Sequence, residues 1–129
     1  MQLKSAVIAA TLLALVLPAA AQSLAPMRAS GATPSAIKAF RLVVGNPYPT
    51  RMVFTVTPME PGFGQLAPDA TVNFPEIALA PGASRQVIVS FKIDPLIKER
   101  TIGVCIQPKA IDGVVLPRVC GTYSGRIRG

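Results

Sequence analysis

The sequence predicts an all-β domain, a sandwich or a barrel, behind an export leader. Helical periodicity is nearly absent beyond residue 22, and short runs alternate apolar and polar residues instead, with Val, Ile, Thr and Phe prominent. Gly, Pro, Asn and Asp separate those runs, and the 129 residues include 13 prolines. Alternation with period two, bounded by turn residues, is the mark of half-buried strands in an all-β fold.

The leader comes first. Met1-Gln2-Leu3-Lys4 is a short positive start, residues 6–17 are small and apolar apart from Thr11, and Ala19-Ala20-Ala21 offers small residues for cleavage before Gln22. These are the three parts of a secretory signal peptide over residues 1–21. The apolar run is shorter than the roughly 20 residues a membrane span needs. No later run is longer, so the expectation is a periplasmic or secreted protein with no transmembrane segment after cleavage. Residues 22–36, rich in Ser, Ala, Pro and Gly, are expected to lie loosely along a sheet edge, with the domain proper over residues 37–129. Phe40, Leu42 and Val44 alternate with Arg41 and Val43 in a first firm strand, which ends in a turn over residues 46–50. Met52, Phe54 and Val56 give the next strand, and a Gly/Pro-rich loop follows over residues 58–68. Residues 72–79 hold a short strand, and Pro81-Gly82 is a turn. Val87, Val89, Phe91 and Ile93 form the clearest strand, closed by Asp94-Pro95. The expected core is Phe40, Leu42, Phe54, Val56, Val87, Val89, Phe91, Val104 and Ile106.

The last hairpin is legible residue by residue. Asp112-Gly113 is a two-residue turn signal, because both turn positions need positive φ. A hairpin folded there pairs residues whose numbers sum to 225, and the two cysteines, 105 and 120, obey that rule. Ile106 then faces Val119, Val104 faces Gly121 and Ile102 faces Tyr123 on the apolar side. Gln107 and Arg118, Gly103 and Thr122, and Thr101 and Ser124 pair on the polar side, with Cys105 opposite Cys120. A Cys105–Cys120 disulfide is expected, at a hydrogen-bonded pair with Cα atoms about 5.5 Å apart. Pro108 then faces Pro117 at a non-hydrogen-bonded pair.

Catalytic chemistry is not visible. The chain has no histidine, the commonest general base and neutral metal ligand. Its six acidic residues, Glu60, Asp69, Glu76, Asp94, Glu99 and Asp112, are dispersed. The cysteine spacing is far from C-x-x-C, and no nucleophile elbow, P-loop or dinucleotide fingerprint occurs. The expectation is a non-enzyme with no metal and no cofactor. The formal net charge is +7, and without Lys4 twelve basic residues face six acidic ones. The positive charges are scattered rather than striped, which suits solubility and attraction to anionic envelope surfaces and gives no sign of nucleic-acid binding.

Several segments resemble the periplasmic pilus-assembly (fimbrial) chaperones. Phe74-Pro75-Glu76-Ile77-Ala78-Leu79-Ala80-Pro81-Gly82 and the strand over 85–93 are similar to their "tPp-f-Lepg-q-lri" stretch, and Leu96-Ile97-Lys98-Glu99-Arg100-Thr101 stands where they have "lP-DRE". The strand over 40–44 followed by Gly45-Asn46 resembles their "l-v-N" strand end, and Val104-Cys105-Ile106 with Cys120 resembles the subfamily with a disulfide between its last strands. The resemblance covers most of residues 28–124, one domain where those chaperones have two. It implies an immunoglobulin-like β-sandwich of two antiparallel sheets. It also implies a chaperone-like or accessory protein that pairs with an extended strand of a secreted fibre or envelope subunit at a sheet edge. The alternative is a non-enzymatic structural module or minor subunit of a surface assembly. The family holds its client's carboxylate with an arginine in the first strand and a lysine in the last. Arg28 is the match for the arginine, and no lysine follows Lys109, the nearest basic residue being Arg126. The candidate partner-binding residues are therefore Arg28, Val115, Val119 and Tyr123, along an edge beside the last strand that Pro117 is expected to limit.

Overall fold

The computed structural model describes residues 23–109, 113 and 116–128. The expected leader, Asp112 and Val115 lie outside them. The described residues contain nine strands: β1 (Ser23–Ala25), β2 (Arg28–Thr33), β3 (Ile37–Gly45), β4 (Met52–Met59), β5 (Thr71–Val72), β6 (Glu76–Leu79), β7 (Ser84–Lys92), β8 (Glu99–Pro108) and β9 (Val119–Ile127). They form a sandwich of a four-stranded sheet, ordered β1-β3-β7-β5, and a five-stranded sheet, ordered β2-β9-β8-β4-β6. All pairs are antiparallel except β2 with β9, which is parallel.

The core forms where the period-two alternation of both sheets turns inward. Leu42, Phe54, Val56, Val87, Val89, Phe91, Val104 and Ile106 are buried as expected, joined by Ile93, Ile102 and Tyr123. Each such apolar side chain contributes about 1.5–3 kcal/mol on burial. Phe40 is only half-buried, but its ring stacks on Phe91 at 6.1 Å and tilts against Tyr123 at 5.8 Å. Two turns predicted separately meet at one residue. Buried Asn46 donates through Nδ2 to Thr50 O and Leu79 O, both at 2.9 Å, and its carbonyl accepts from Gly82 N. Gly82 has φ +72°, a conformation that favours glycine.

Three expectations need correction. Residues 23–33 are not loose: they do follow sheet edges, but as β1 on one sheet and β2 on the other. Residues 72–79 hold parts of two strands in opposite sheets, β5 and β6, joined across the sandwich by Asn73-Phe74-Pro75. Pro75 has no N–H to offer a ladder, and its carbonyl accepts from Val56 N at 2.9 Å.

The third correction concerns the hairpin. The register is the expected one, from Glu99↔Arg126 to Ile106↔Val119 with Cys105↔Cys120 between them, and the disulfide is formed. The hydrogen-bond phase is the opposite of that expected. Thr122 N donates to Met27 O, away from β8, whereas Ile127 N donates to Lys98 O, toward it. Odd-numbered residues of β9 therefore bond β8, and Cys105–Cys120 is a non-hydrogen-bonded pair, its Cα atoms 4.1 Å apart. Lys109 N donates to Val53 O, so the absent N–H of Pro108 faces β9. The Pro108–Pro117 position needs hydrogen bonds that neither residue can donate, and the ladder stops at Ile106↔Val119. The ladder's phase is thus uncoupled from the turn at Gly113, whose φ is +77°.

Candidate strand-binding corner

The N-terminal segment changes sheets at one point. β1 pairs with β3 through Ala25↔Val43, and β2 pairs with β9 from Arg28↔Thr122 onward. Pro26, which has no N–H to leave unpaired, fills the crossing with Met27. Two bonds hold it: Tyr123 Oη donates to Pro26 O at 2.6 Å, and Thr122 N donates to Met27 O at 2.9 Å. Tyr123 has no exposed surface, and burial pushes its phenol up to about 12. Its side chain is a post inside the sandwich and its main chain bonds β8, so neither faces a partner directly. A Cβ at Gly121 would collide with Tyr123 Oη and lie 2.8 Å from Met27 O, so glycine is required by this close approach.

The crossing leaves a step in the edge. β9 starts at Val119, three residues before β2 joins it at Thr122. Arg28, the first residue of β2, is exposed and borders a shallow depression shared with Ser30, Thr122 and Ser124. Alternation puts the side chains of Ser30, Thr122 and Ser124 on the same outer face as Arg28, and Ser124 Oγ lies 2.8 Å from Thr101 Oγ1. Val119 is half-buried and packs against the core. Of the four residues singled out in the sequence, Arg28 and Val119 flank the step, Tyr123 stands beneath it, and Val115 lies outside the described residues. Pro117 does not limit the outer edge in the way expected, because the odd-numbered positions of β9 turn their N–H groups toward β8. Arg126, the nearest basic residue, faces Ala32 rather than Arg28.

Sequence reasoning missed one ionic clamp. Arg100, within the segment compared with "lP-DRE", binds Asp69 through Nη1 at 2.5 Å and Nη2 at 2.7 Å, reaches Lys92 O at 2.9 Å, and lies 3.5 Å from Glu60. The hydrogen bond from Arg100 holds the Asp69 carboxyl below its usual range. The clamp ties the 58–70 loop to β7 and β8, and only three-dimensional proximity across 31 residues reveals it. That loop also folds over the outer face of the five-stranded sheet. The Phe63 ring lies where a Cβ at Gly103 would be, and Arg118 Nη2 donates to Phe63 O at 2.9 Å.

No protein-family model matches the sequence, and no curated protein is significantly similar to it. Solved structures are. The Escherichia coli chaperone DraB superposes with a TM-score of 0.65 at 16% identity, over 83% of this chain and 55% of that one. A Salmonella enterica complex of SafA pilin with the SafB chaperone gives 0.66 at 16% identity, over 83% and 54%. SSP-19 of Caenorhabditis elegans, an MSP-domain-like protein, gives 0.59 at 11% identity, over 81% and 98%. The chain thus spans about half the length of the solved chaperone structures it matches. It has the all-β, immunoglobulin-like sandwich seen in the N-terminal region of periplasmic pilus chaperones and in MSP domains, neither of them enzymes.

Proposed function

We propose that this domain binds an extended segment of another exported polypeptide, such as a fibre or envelope subunit, by main-chain pairing along the open start of β9. The observation that carries the reading is the step between Val119 and Arg28. A strand laid there lies in line with β2, and if it runs parallel to β9 as β2 does, its carboxyl end arrives at Arg28. A guanidinium binds a carboxylate through charge-assisted hydrogen bonds, and the hydroxyls of Ser30 and Thr122 stand on the same face to complete the contact. Edge pairing supplies affinity without a catalytic group. The fold shared with a chaperone in complex with a pilin supports the reading, and a disulfide suits an oxidising compartment such as the periplasm.

The test uses ten-residue synthetic peptides of alternating apolar sequence, each made with a free and an amidated C-terminus. Slowed amide exchange over residues 116–121 with the free-acid peptide is expected, with at least tenfold weaker binding for the amide and for Arg28→Ala. Binding indifferent to both changes would remove the anchor. A second reading is a non-enzymatic structural module of a surface assembly; the match covering 98% of SSP-19 is consistent with it only in that the fold there makes up nearly the whole solved chain. Full protection of residues 119–121 in the isolated protein, with no peptide bound, would support that reading instead.

A further inference from the structure

The end of the sandwich opposite the β3–β4 turn carries a second surface, independent of the strand-binding corner. The loop from β7 to β8 puts Leu96 at its tip, 92% exposed, beside Ile97 at 69%, and Ile37 of β3, at 54%, borders the same groove as Ile97. These are among the most exposed large apolar side chains of the described residues. The tip is held in place. Asp94 accepts from Leu96 N through Oδ1 at 2.9 Å, and its carbonyl accepts from Ile97 N and Lys98 N at 3.1 and 2.8 Å. Lys98 takes φ +66°, closing the turn, and its carbonyl accepts from Ile127 N. A loop built this way presents its two aliphatic side chains outward instead of folding them away.

The charge around the tip has a sign. The same end gathers Lys92, Lys98, Arg126 and Arg128, placed there by Ile37↔Lys92, Glu99↔Arg126 and the bond from Arg128 N to Thr33 O. Against these four stand Asp94 and Glu99, since Asp69 is taken by Arg100. Two copies meeting end to end would bring like charge together, which disfavours self-association here. Protruding aliphatic side chains ringed by cations fit a surface that is anionic outside and apolar just beneath. We propose that this end is a docking surface for an anionic lipid bilayer, with Leu96 and Ile97 entering the headgroup region.

The probe is vesicles of phosphatidylglycerol and phosphatidylethanolamine, set against vesicles of phosphatidylcholine alone, with leader-processed protein confirmed by intact mass. Co-sedimentation with the anionic vesicles only is expected, weakening in 0.5 M salt. The double variant Leu96→Ser/Ile97→Ser should lose at least tenfold in partitioning with its melting temperature unchanged. The chain has no tryptophan, so Leu96→Trp adds a single reporter whose emission should shift to the blue on anionic vesicles. Absence of anionic binding, undiminished binding by the double serine variant, or an indole that stays water-exposed would each overturn the proposal.

Discussion

The β8–β9 hairpin and β2 share a border along β9, but they are held by different means. The hairpin buries Ile102, Val104, Ile106 and Tyr123 completely and is crossed by a disulfide. β2 turns only Ala29, Gly31 and Thr33 inward, and Lys38, whose ammonium lies 4.7 Å over the Phe40 ring, fills the space beneath Gly31. One element is fixed by side chains and a covalent bond, the other mostly by main-chain pairing to an edge. An edge strand held that way opens at low free energy, and it begins where the proposed partner strand would end.

The largest expected effect breaks the hairpin side of this comparison. Replacing both cysteines by alanine reopens a loop of 15 residues, and in the chain-entropy model it costs about 3 kcal/mol. Chemical denaturation should show the loss as a lower midpoint, with a slope no smaller than the parent's because the unfolded chain is less compact without the bridge. A midpoint within error of the parent would mean that packing alone secures β8 against β9.

Much of this was legible in sequence because the hairpin's information is local. A turn signal, alternation and two cysteines agree on one register, and each can be read within 25 residues. The segment 23–33 offers no such agreement: its inward positions are small, its neighbour on β9 is about 94 residues away, and the pairing is parallel. Composition alone suggested a loose tail. The hydrogen-bond phase of the hairpin departs from the expected one for a related reason, since Pro108 and Pro117 disconnect the ladder from its turn and the neighbouring strands set the phase instead. At the candidate corner, Arg28 was found through a family resemblance, whereas the step that gives it meaning depends on where β2 begins beside β9. The Asp69–Arg100 clamp left no sequence signal beyond the resemblance of its arginine's neighbourhood.

Glycines on β9 probe the border itself. Gly121→Ala pushes a methyl against Met27 O, which is main chain and cannot swing aside, and Gly125→Ala meets Lys38 Cγ at 2.9 Å and Cβ at 3.0 Å. Each should cost about 1–3 kcal/mol, as overpacking typically does. The Gly121 change should also speed amide exchange in residues 27–31, because relief requires the crossing to move. A stability loss with no change in that exchange would place the strain within the hairpin instead.

Tyr123→Phe tests the post under the crossing. Loss of the bond to Pro26 O should cost about 1 kcal/mol. Burial raises the Tyr123 phenol to about 12 in the folded protein, against about 10 in an unfolded chain. Its contribution is therefore complete below pH 10 and is lost as pH rises toward 12, because the unfolded state releases the proton first. Melting temperatures at pH 9 and 11.5 should fall further apart for the parent than for Tyr123→Phe. Equal alkaline loss in both would assign it to other groups.

The smallest effect is the sharpest test of how β2 is held. Gly31 faces Gly125 across the parallel pair, yet an added Cβ meets different resistance at the two positions. At Gly31 it comes within 3.1 Å of Lys38 Cε and 3.4 Å of Nζ, the far end of a flexible side chain. The backbone there is ordinary strand, so alanine gains by restricting the unfolded chain, roughly 0.4–1 kcal/mol, while displacing the lysine tip offsets part of that gain. The net change should stay within about 0.5 kcal/mol of zero, far from that of Gly125→Ala one strand away. Lys38→Met should make Gly31→Ala no worse, since a thioether can also bend aside. If Gly31→Ala cost as much as Gly125→Ala, β2 would be packed as firmly as the strand it borders, and the contrast between a side-chain-locked hairpin and a main-chain-held edge would fail.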